Sequence, residues 1–537
     1  MNMRSRLFLR LILACGVLLP WLVHAGVDTA WVRRYDGAAH LGADATGLAV
    51  DSNGDIIVAG VSLATDSTFD WVTIKYLPNG ETAWVRTSDF DYGKRKPSGL
   101  GVDVQGNVYI SGSNNEGRMV TIKYSPTGNQ LWHEYSGSQG GANGLVLDSH
   151  GNVIVCGSSY RASSDAAYVK YRPNGDTAWA RFYDWAGLDD YALAVGCGQA
   201  DNPVATGYGT GSSTHIDCVT VMRDSTGSQL WAAGYDGPNH GVDVACAVAV
   251  DESGNTTVAG YGDNGYGTPP DYLTIKYDTV GETLWTRRYD GPSHEDDEAT
   301  ALTTDQDGNV FVTGYSYDTA TQNDYLTVKY DSAGNQMWVA RYNGAGNGPD
   351  QACAIVTDRL GNAYITGTAR IHQYTAGCVT IKYDADGDTC WVATFPAPPL
   401  TPAVGGAIAI GPEDCIYIAG GCDGDILVIK YVQSGGVAEG NDVPVARRAS
   451  LVAEPSVFRT RTALYLCVDK PAATHVALYD AEGRRVRTLT SGLNGIGATT
   501  ATWDGCDERG KRLSPGVYIV VLEAGGQRVN AKVVMSE

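Results

Sequence analysis

Apolar and polar positions along this chain fall into short runs separated by tight polar turns, and one order of runs keeps returning. The sixth copy reads most clearly. Leu284-Trp285 leads to Tyr289-Asp290-Gly291, then come a small apolar run from Ala299 to Asp305, an apolar run from Gly308 to Tyr315, and Asp324 to Tyr330. Asp324-Tyr325-Leu326-Thr327-Val328-Lys329-Tyr330 alternates with the two-residue period of a strand. The turn Asp331-Ser332-Ala333-Gly334-Asn335 leads into the next copy. Trp31, Trp84, Trp132, Trp179, Trp231, Trp285, Trp338 and Trp391 mark eight copies at intervals of 47 to 54 residues. Each copy therefore predicts four antiparallel strands.

Four antiparallel strands repeated around an axis make the blades of a β-propeller. The small residues at 299–305 suit a crowded centre, and the Trp strand suits the wide rim. This orders each blade, inside to outside, as small strand, Gly-Asn strand, Lys-Tyr strand, Trp strand. Thr29 to Tyr35 is a Trp strand with no blade before it, and the last copy, Gly406 to Tyr431, has three strands and no Trp strand after it. The first strand can complete the last blade and remove two exposed edges; an open solenoid would leave both unpaired. The expected fold is all-β: an eight-bladed β-propeller over residues 26–431 closed by its N-terminal strand, a linker over 432–450, and a small immunoglobulin-like β-sandwich over 451–537. Length varies mostly between the Trp strand and the small strand, and between the Gly-Asn and Lys-Tyr strands. Those two loops emerge on one face, the expected binding surface.

Gly308-Asn309-Val310, Thr313-Gly314-Tyr315, Tyr325 to Tyr330, and Gly334-Asn335 with Trp338 resemble the bacterial β-propeller repeat family called SBBP. The likeness covers residues 29–431 and implies a propeller fold and a surface location rather than a reaction. The fourth repeat departs, with Met222-Arg223 in place of Lys-Tyr and Asp201-Asn202-Pro203 in place of Gly-Asn-x. Asp278-x-x-Gly281-x-x-x-Trp285 is more distantly similar to the Trp-docking motif of quinoprotein dehydrogenase propellers, one residue shorter and without its Thr-Gly.

After the Gly-, Val- and Ala-rich linker the pattern changes. Thr462 to Val468, Thr474 to Tyr479, Arg485 to Leu489, Ala498 to Trp503, Gly516 to Glu523 and Gln527 to Val534 predict six short strands. That is the content of a small sandwich. Pro455 to Phe458, Leu478-Tyr479-Asp480 with Gly483 and Val486, Trp503-Asp504-Gly505 with Asp507 and Gly510, Ser514 to Tyr518, and Lys532-Val533-Val534 resemble the type IX secretion C-terminal sorting domain. That domain is related to the immunoglobulin fold of the flagellar hook-capping protein. The resemblance implies a partnership with the type IX secretion machinery, followed by removal or surface attachment. Cys506 is a departure inside the Trp-Asp-Gly segment. An ordinary structural sandwich is the alternative.

Residues 1–25 read as a secretory signal: Arg4, Arg6 and Arg10, an apolar run from Leu11 to Val23, and small Ala25 before Gly26. The run is short for a membrane span, and no later stretch could cross a bilayer as a helix. The expected location is secreted or at the surface of a Gram-negative-type bacterium, by way of the periplasm. Loss of the signal moves the formal charge from −21 to −24, and residues 443–537 carry 13 Lys+Arg against 9 Asp+Glu, which leaves −28 on residues 26–442. So acidic a body excludes a phosphate-tracking nucleic-acid binder. Of twelve Cys, Cys15 lies in the signal, so the remaining eleven cannot all pair. Cys246 with Cys353, and Cys218 with Cys378, recur in register as small strand hydrophobes, and Cys415 and Cys422 are close enough in sequence for a local bridge.

No Gly-x-Ser-x-Gly, His-Glu-x-x-His or phosphate-binding Gly-Lys-Ser/Thr motif is present. The best polar constellation is Asp190, Asp243, Asp297 and Asp350, each eight residues before the end of a small strand. They are expected at the channel mouth, thickened by Glu295, Asp296 and Glu298, with His40, His240 and His294 in Asp-Gly-x-x-His loops. Converging carboxylates could hold Ca²⁺, and His with Asp a transition metal; the competing reading is that each Asp caps its own loop. Asp384-Ala385-Asp386-Gly387-Asp388 looks like a calcium loop but sits at a hairpin turn. The repeated Lys75, Lys123, Lys170, Lys276, Lys329, Lys382 and Lys430 are expected to be inter-blade partners. The leading function is a non-enzymatic exported scaffold that binds a protein or glycan. The alternative is a propeller enzyme, a polysaccharide lyase or glycosidase or a quinoprotein-like oxidoreductase; a third reading is a structural spacer.

Overall fold

The computed structural model describes residues 26–535 apart from 38–41, 65–67, 90–95, 115, 137–139, 199, 212–215, 266, 373–374, 396–402, 434–449, 455–456, 459–461, 481–482 and 525–526. The signal, His40 and nearly all of the linker lie outside the described residues. The chain divides into two compact units, Met1–Gly436 and Val437–Glu537.

The first unit is a β-propeller. Its described residues hold eight four-stranded antiparallel sheets. In chain order the first seven span residues 43–88, 97–136, 140–183, 190–235, 243–289, 297–342 and 351–395. The eighth takes three strands from 403–433, and its fourth is Val27–Tyr35, which pairs antiparallel with Asp425–Gln433. The first strand of each sheet packs against the first strands of both neighbours, and Ala43–Val50 meets Ala403–Ile410, so the inner strands form a closed ring. The ring closes through the chain's own first strand.

The repeated residues build the seams. In six sheets the Trp indole N–H crosses to a carbonyl in the next sheet's outer turn, as in Trp84 to Pro126 (3.0 Å), Trp179 to Ser225 (3.1 Å) and Trp285 to Ser332 (3.2 Å). The turn's glycine lies flat on that ring. A Cβ on Gly334 would stand 2.7 Å from the Trp285 indole, and its φ of +83° favours glycine as well. Each Asp of the inner turn accepts two backbone N–H bonds, as Asp251 does from Ser253 (3.0 Å) and Asn255 (2.9 Å). In sheets one, three and five its other oxygen meets the buried lysine: Lys75–Asp51 at 2.8 Å, Lys170–Asp148 at 2.8 Å and Lys276–Asp251 at 2.9 Å. Lys276 also donates to Gly308 in sheet six (3.1 Å), and Lys329 to Ala385 in sheet seven (3.0 Å). The lysines thus serve both their own sheet and the seam. Cys415 and Cys422 form no bridge with each other, and Cys422 Sγ accepts from Arg34 at 3.0 Å. Among the described residues no helix is long and apolar enough to cross a membrane.

The second unit is an immunoglobulin-like β-domain. Two of its strands are longer than the sequence pattern predicts. Thr462–Tyr479 and Arg485–Trp503 each run through two of the expected segments. Their pairing skips between Val468 and Ala472, where Pro471 has no N–H to give, and again near His475. Such irregularities let a strand bend and continue instead of ending. The core gathers Leu464, Val476, Leu478, Trp503, Tyr518 and Val520. Trp503 stacks edge-on to Tyr518 at 5.0 Å and donates to the Cys506 carbonyl at 3.0 Å.

Candidate functional site: the two faces of the propeller

The longer loops, from fourth to first strand and from second to third, gather on one face. There the four aspartates named from sequence do not stand out in the channel. Asp190, Asp243 and Asp297 open inner strands, and Asp350 directly precedes one. All four are buried. Each accepts the backbone N–H of the loop behind it: Trp185 to Asp190 (2.6 Å), Gly237 to Asp243 (2.6 Å), Gly291 to Asp297 (2.5 Å) and Gly344 to Asp350 (2.5 Å). The channel-mouth expectation gives way to the loop-capping one, because an N–H five or six residues back is the nearest donor to a carboxylate leaving solvent. Burial pushes Asp190 up to about 7 and Asp243 and Asp350 up to about 6, and raises Asp297 as well.

A second set of carboxylates stands beside them at the starts of the third strands. Asp271 binds Arg288 (3.3 Å), Asp324 binds Arg341 (2.7 Å) and Asp425 lies 3.6 Å from Arg34. Sequence reasoning missed these pairs. Their signal was the recurring Arg-Tyr that ends the Trp strand, at 34–35, 288–289 and 341–342. His240 and His294 are exposed and hydrogen-bond to Asp236 (2.6 Å) and Asp290 (2.7 Å). The hydrogen bond to Asp290 raises His294 above the usual imidazole range. Of the four named aspartates, Asp297 alone falls among carboxylates that could share an ion: Asp271, Asp290 and Asp297 offer oxygens within 4.8 Å of one another. Three carboxylates suit a hard cation, although Arg288 already neutralises part of that charge. The Asp384 loop is an ordinary turn, its carboxylate accepting the N–H of Asp386 (3.0 Å) and Asp388 (2.9 Å).

The opposite face carries a recess of about 610 Å³ at the seam of sheets three and four, lined in part by Asp148, His150, Lys170, Arg172, Trp179 and Asp201. It arises from the fourth-repeat departure. Gly198 stands where six of the inner turns have Asp, and Asp201 stands where those six have Gly, at a left-handed φ of +56°. Asp201 turns to sheet three and accepts the Ser149 N–H (2.8 Å), the Ser149 hydroxyl (2.7 Å) and His150 Nδ1 (2.8 Å). Burial alone would raise its pKa; these three partners hold it below the usual range. Asp148, His150 and Asp201 also offer atoms within 4.8 Å of one another. Every carboxylate oxygen of that trio is already bonded to protein groups.

Comparison with known proteins adds the following. Residues 457–527 match the FlgD Ig-like domain. An uncharacterised WD repeat-containing protein of Acanthamoeba polyphaga mimivirus is 22% identical; the match covers 60% of this chain and 28% of that protein, so the chain spans under a third of its relative's length. Among solved structures, PorZ, a surface component of the type IX secretion system of Porphyromonas gingivalis, is 11% identical with a TM-score of 0.36, over 92% of this chain and 70% of that one. A family PL25 ulvan lyase is 12% identical with a TM-score of 0.38, over 68% and 96%. The β-propeller domain of the trilobed protease of Pyrococcus furiosus is 6% identical with a TM-score of 0.37, over 74% and 100%. The strand pairing makes the first unit a β-propeller, and the second unit matches the FlgD Ig-like domain over residues 457–527.

Proposed function

We propose that the protein is an exported, non-enzymatic scaffold that presents a protein- or glycan-binding face, with the C-terminal domain directing passage through the outer membrane or attachment to the cell surface by the type IX machinery. The observation that carries the binding role is the set of clamped loops. Loops of different length and sequence leave the same position of consecutive sheets, and each is fixed at its root by a buried aspartate. Rigid roots under variable loops lower the ordering cost of recognition. Asp190, Asp243, Asp297 and Asp350 are engaged in this clamping, and Asp271, Asp324 and Asp425 face arginines. The export role is supported by the FlgD Ig-like match over 457–527 and by the Trp503-Asp504-Gly505 and Ser514 to Tyr518 segments.

Two measurements test the reading. Deletion of residues 437–537 is expected to leave the propeller in the periplasm; its normal appearance outside would remove the sorting role. Incubation of the full chain with polysaccharides is expected to release no shortened products, and turnover of any of them would overturn the non-enzymatic assignment.

A further inference from the structure

What recurs in every sheet serves the sheet, so a residue type confined to one arc of the ring points to the ligand. One register position behaves this way. It is the residue after the glycine of the second strand, opposite the start of the first strand, at the loop end of the inner strand pair. Around the ring it reads Val61, Ser113, Ser158, Tyr208, Tyr261, Tyr315, Thr368 and Gly421. Tyrosine stands there in sheets four, five and six and in no other.

The three tyrosines are also out of keeping with their strands. Pro203–Gly209 and Thr256–Gly262 are buried throughout except at Tyr208 and Tyr261, and in Val310–Asp318 the residues before Tyr315 are all buried while Tyr315 is half-exposed. Tyr208 faces a fourth tyrosine, Tyr191, across the sheet, with ring centroids 5.0 Å apart and planes inclined by 31°. Tyr315 faces Glu298 across its sheet. Partial burial raises the Tyr208 and Tyr261 phenols, and next in weight come Tyr191 for the first and Glu298 for the second, with Tyr208 also acting on Tyr261. The three register positions follow one another on consecutive sheets of the ring. Nothing in the folding of a blade requires tyrosine here, since five sheets do without it.

We propose that Tyr191, Tyr208, Tyr261 and Tyr315, with Glu298, form a binding platform for a neutral glycan chain; the inference rests on the scaffold reading above and names its ligand class and place. A half-exposed tyrosine offers a flat apolar face and a polar edge, which matches a pyranose ring with its C–H face and hydroxyl rim. Glu298 accepts from sugar hydroxyls. An arc over three sheets suits an extended chain of sugars rather than a single small molecule. Glu295, Asp296 and Asp189 border the arc, and like charges across an interface disfavour sulfated or uronic glycans.

The test is titration of the full chain with cellohexaose, laminarihexaose, maltohexaose, mannohexaose, xylohexaose and chitohexaose, with heparin as the anionic control, read by calorimetry and tyrosine fluorescence. At least one neutral oligosaccharide is expected to bind saturably. Tyr261→Ser should weaken that binding about tenfold, equivalent to about 1.4 kcal/mol, and the triple change Tyr208→Ser, Tyr261→Ser, Tyr315→Ser should abolish it. Serine already occupies this register in sheets two and three, so an unchanged melting midpoint is expected, and Tyr261→Phe, which keeps the ring, should retain most of the affinity. Binding that survives the triple change overturns the platform while leaving the scaffold reading intact. Binding of heparin alone, or of none of the seven, also overturns the platform. Cleavage of a bound oligosaccharide that depends on the tyrosines upholds the platform and overturns the non-enzymatic reading.

Discussion

Sheets four and five are neighbouring copies of one unit, yet they hold a buried cation in different ways. In sheet five Lys276 is 1% exposed, paired with Asp251 and hydrogen-bonded forward to sheet six. In sheet four both partners are gone, Gly198 standing for the aspartate and Met222 for the lysine. The next residue, Arg223, carries the charge instead. It reaches backward, donating to Phe182 of sheet three (3.2 Å) and to Gly227 (3.2 Å), with its guanidinium 5.0 Å from the Tyr168 ring centre. The comparison teaches that a buried cation at a seam can be met in two ways, by the aspartate that faces Lys276 or by the carbonyls and aromatic ring that receive Arg223. It also explains the recess: a turn freed from its lysine could place Asp201 toward the neighbouring sheet.

The largest effect should come from breaking the sheet-five pair. Asp251→Ala is expected to cost about 3–5 kcal/mol, read from the urea midpoint. The double change Asp251→Gly with Lys276→Met, which imports the sheet-four arrangement, should cost less than the single one. A double variant as unstable as the single would show that the two residues are not coupled. Next, Arg223→Met should cost about 1–3 kcal/mol, since two carbonyls lose a charged donor. The effect should be smaller than for Asp251→Ala, because no opposite charge is stranded.

The two sheets also differ in the pH at which their loop clamps ionise. Asp190 titrates near 7 and Asp243 near 6, both raised by burial above the unfolded value of about 3.9. A raised acid contributes stability that is fully present below the unfolded pKa and is lost as pH rises through the folded one. The melting midpoint should therefore fall between about pH 4 and about pH 7, and Asp190→Asn should flatten the upper half of that fall more than Asp243→Asn does. Equal slopes in the two variants would remove the distinction. The smallest effect concerns the rim. Trp285 donates to Ser332, whereas the Trp231 indole N–H has no partner among the described residues. Trp285→Phe should exceed Trp231→Phe by about 1 kcal/mol, the worth of one hydrogen bond.

Most of the fold could be read before any coordinates. Trp285, Gly308 and Lys329 repeat because most seams use the same indole, turn and charge, and a two-residue period has only one regular meaning. The ring closure was legible too, from a Trp strand at one end and a missing one at the other. The site was harder. Asp243 and Asp297 look alike whether a carboxylate points into a channel or back at its own loop; the choice depends on the N–H groups of Gly237 and Gly291, which carry no mark in the sequence. Arg288 and Arg341 sit on an edge strand where alternating charge reads as solvent exposure. In the second unit the predicted strands end at Val468 and resume at Thr474, yet one strand continues through the gap with shifted pairing.

The closure of the ring has a consequence in time. Val27–Tyr35 is the first propeller strand to be made, and its partner Asp425–Gln433 is the last. Roughly four hundred residues must arrive before that pairing can form, and such distant contacts are slow to reach. Until then the early strand waits with its backbone groups unspent, and the sheets already made remain an open arc. The event that seals the propeller therefore comes only when the whole ring has been made.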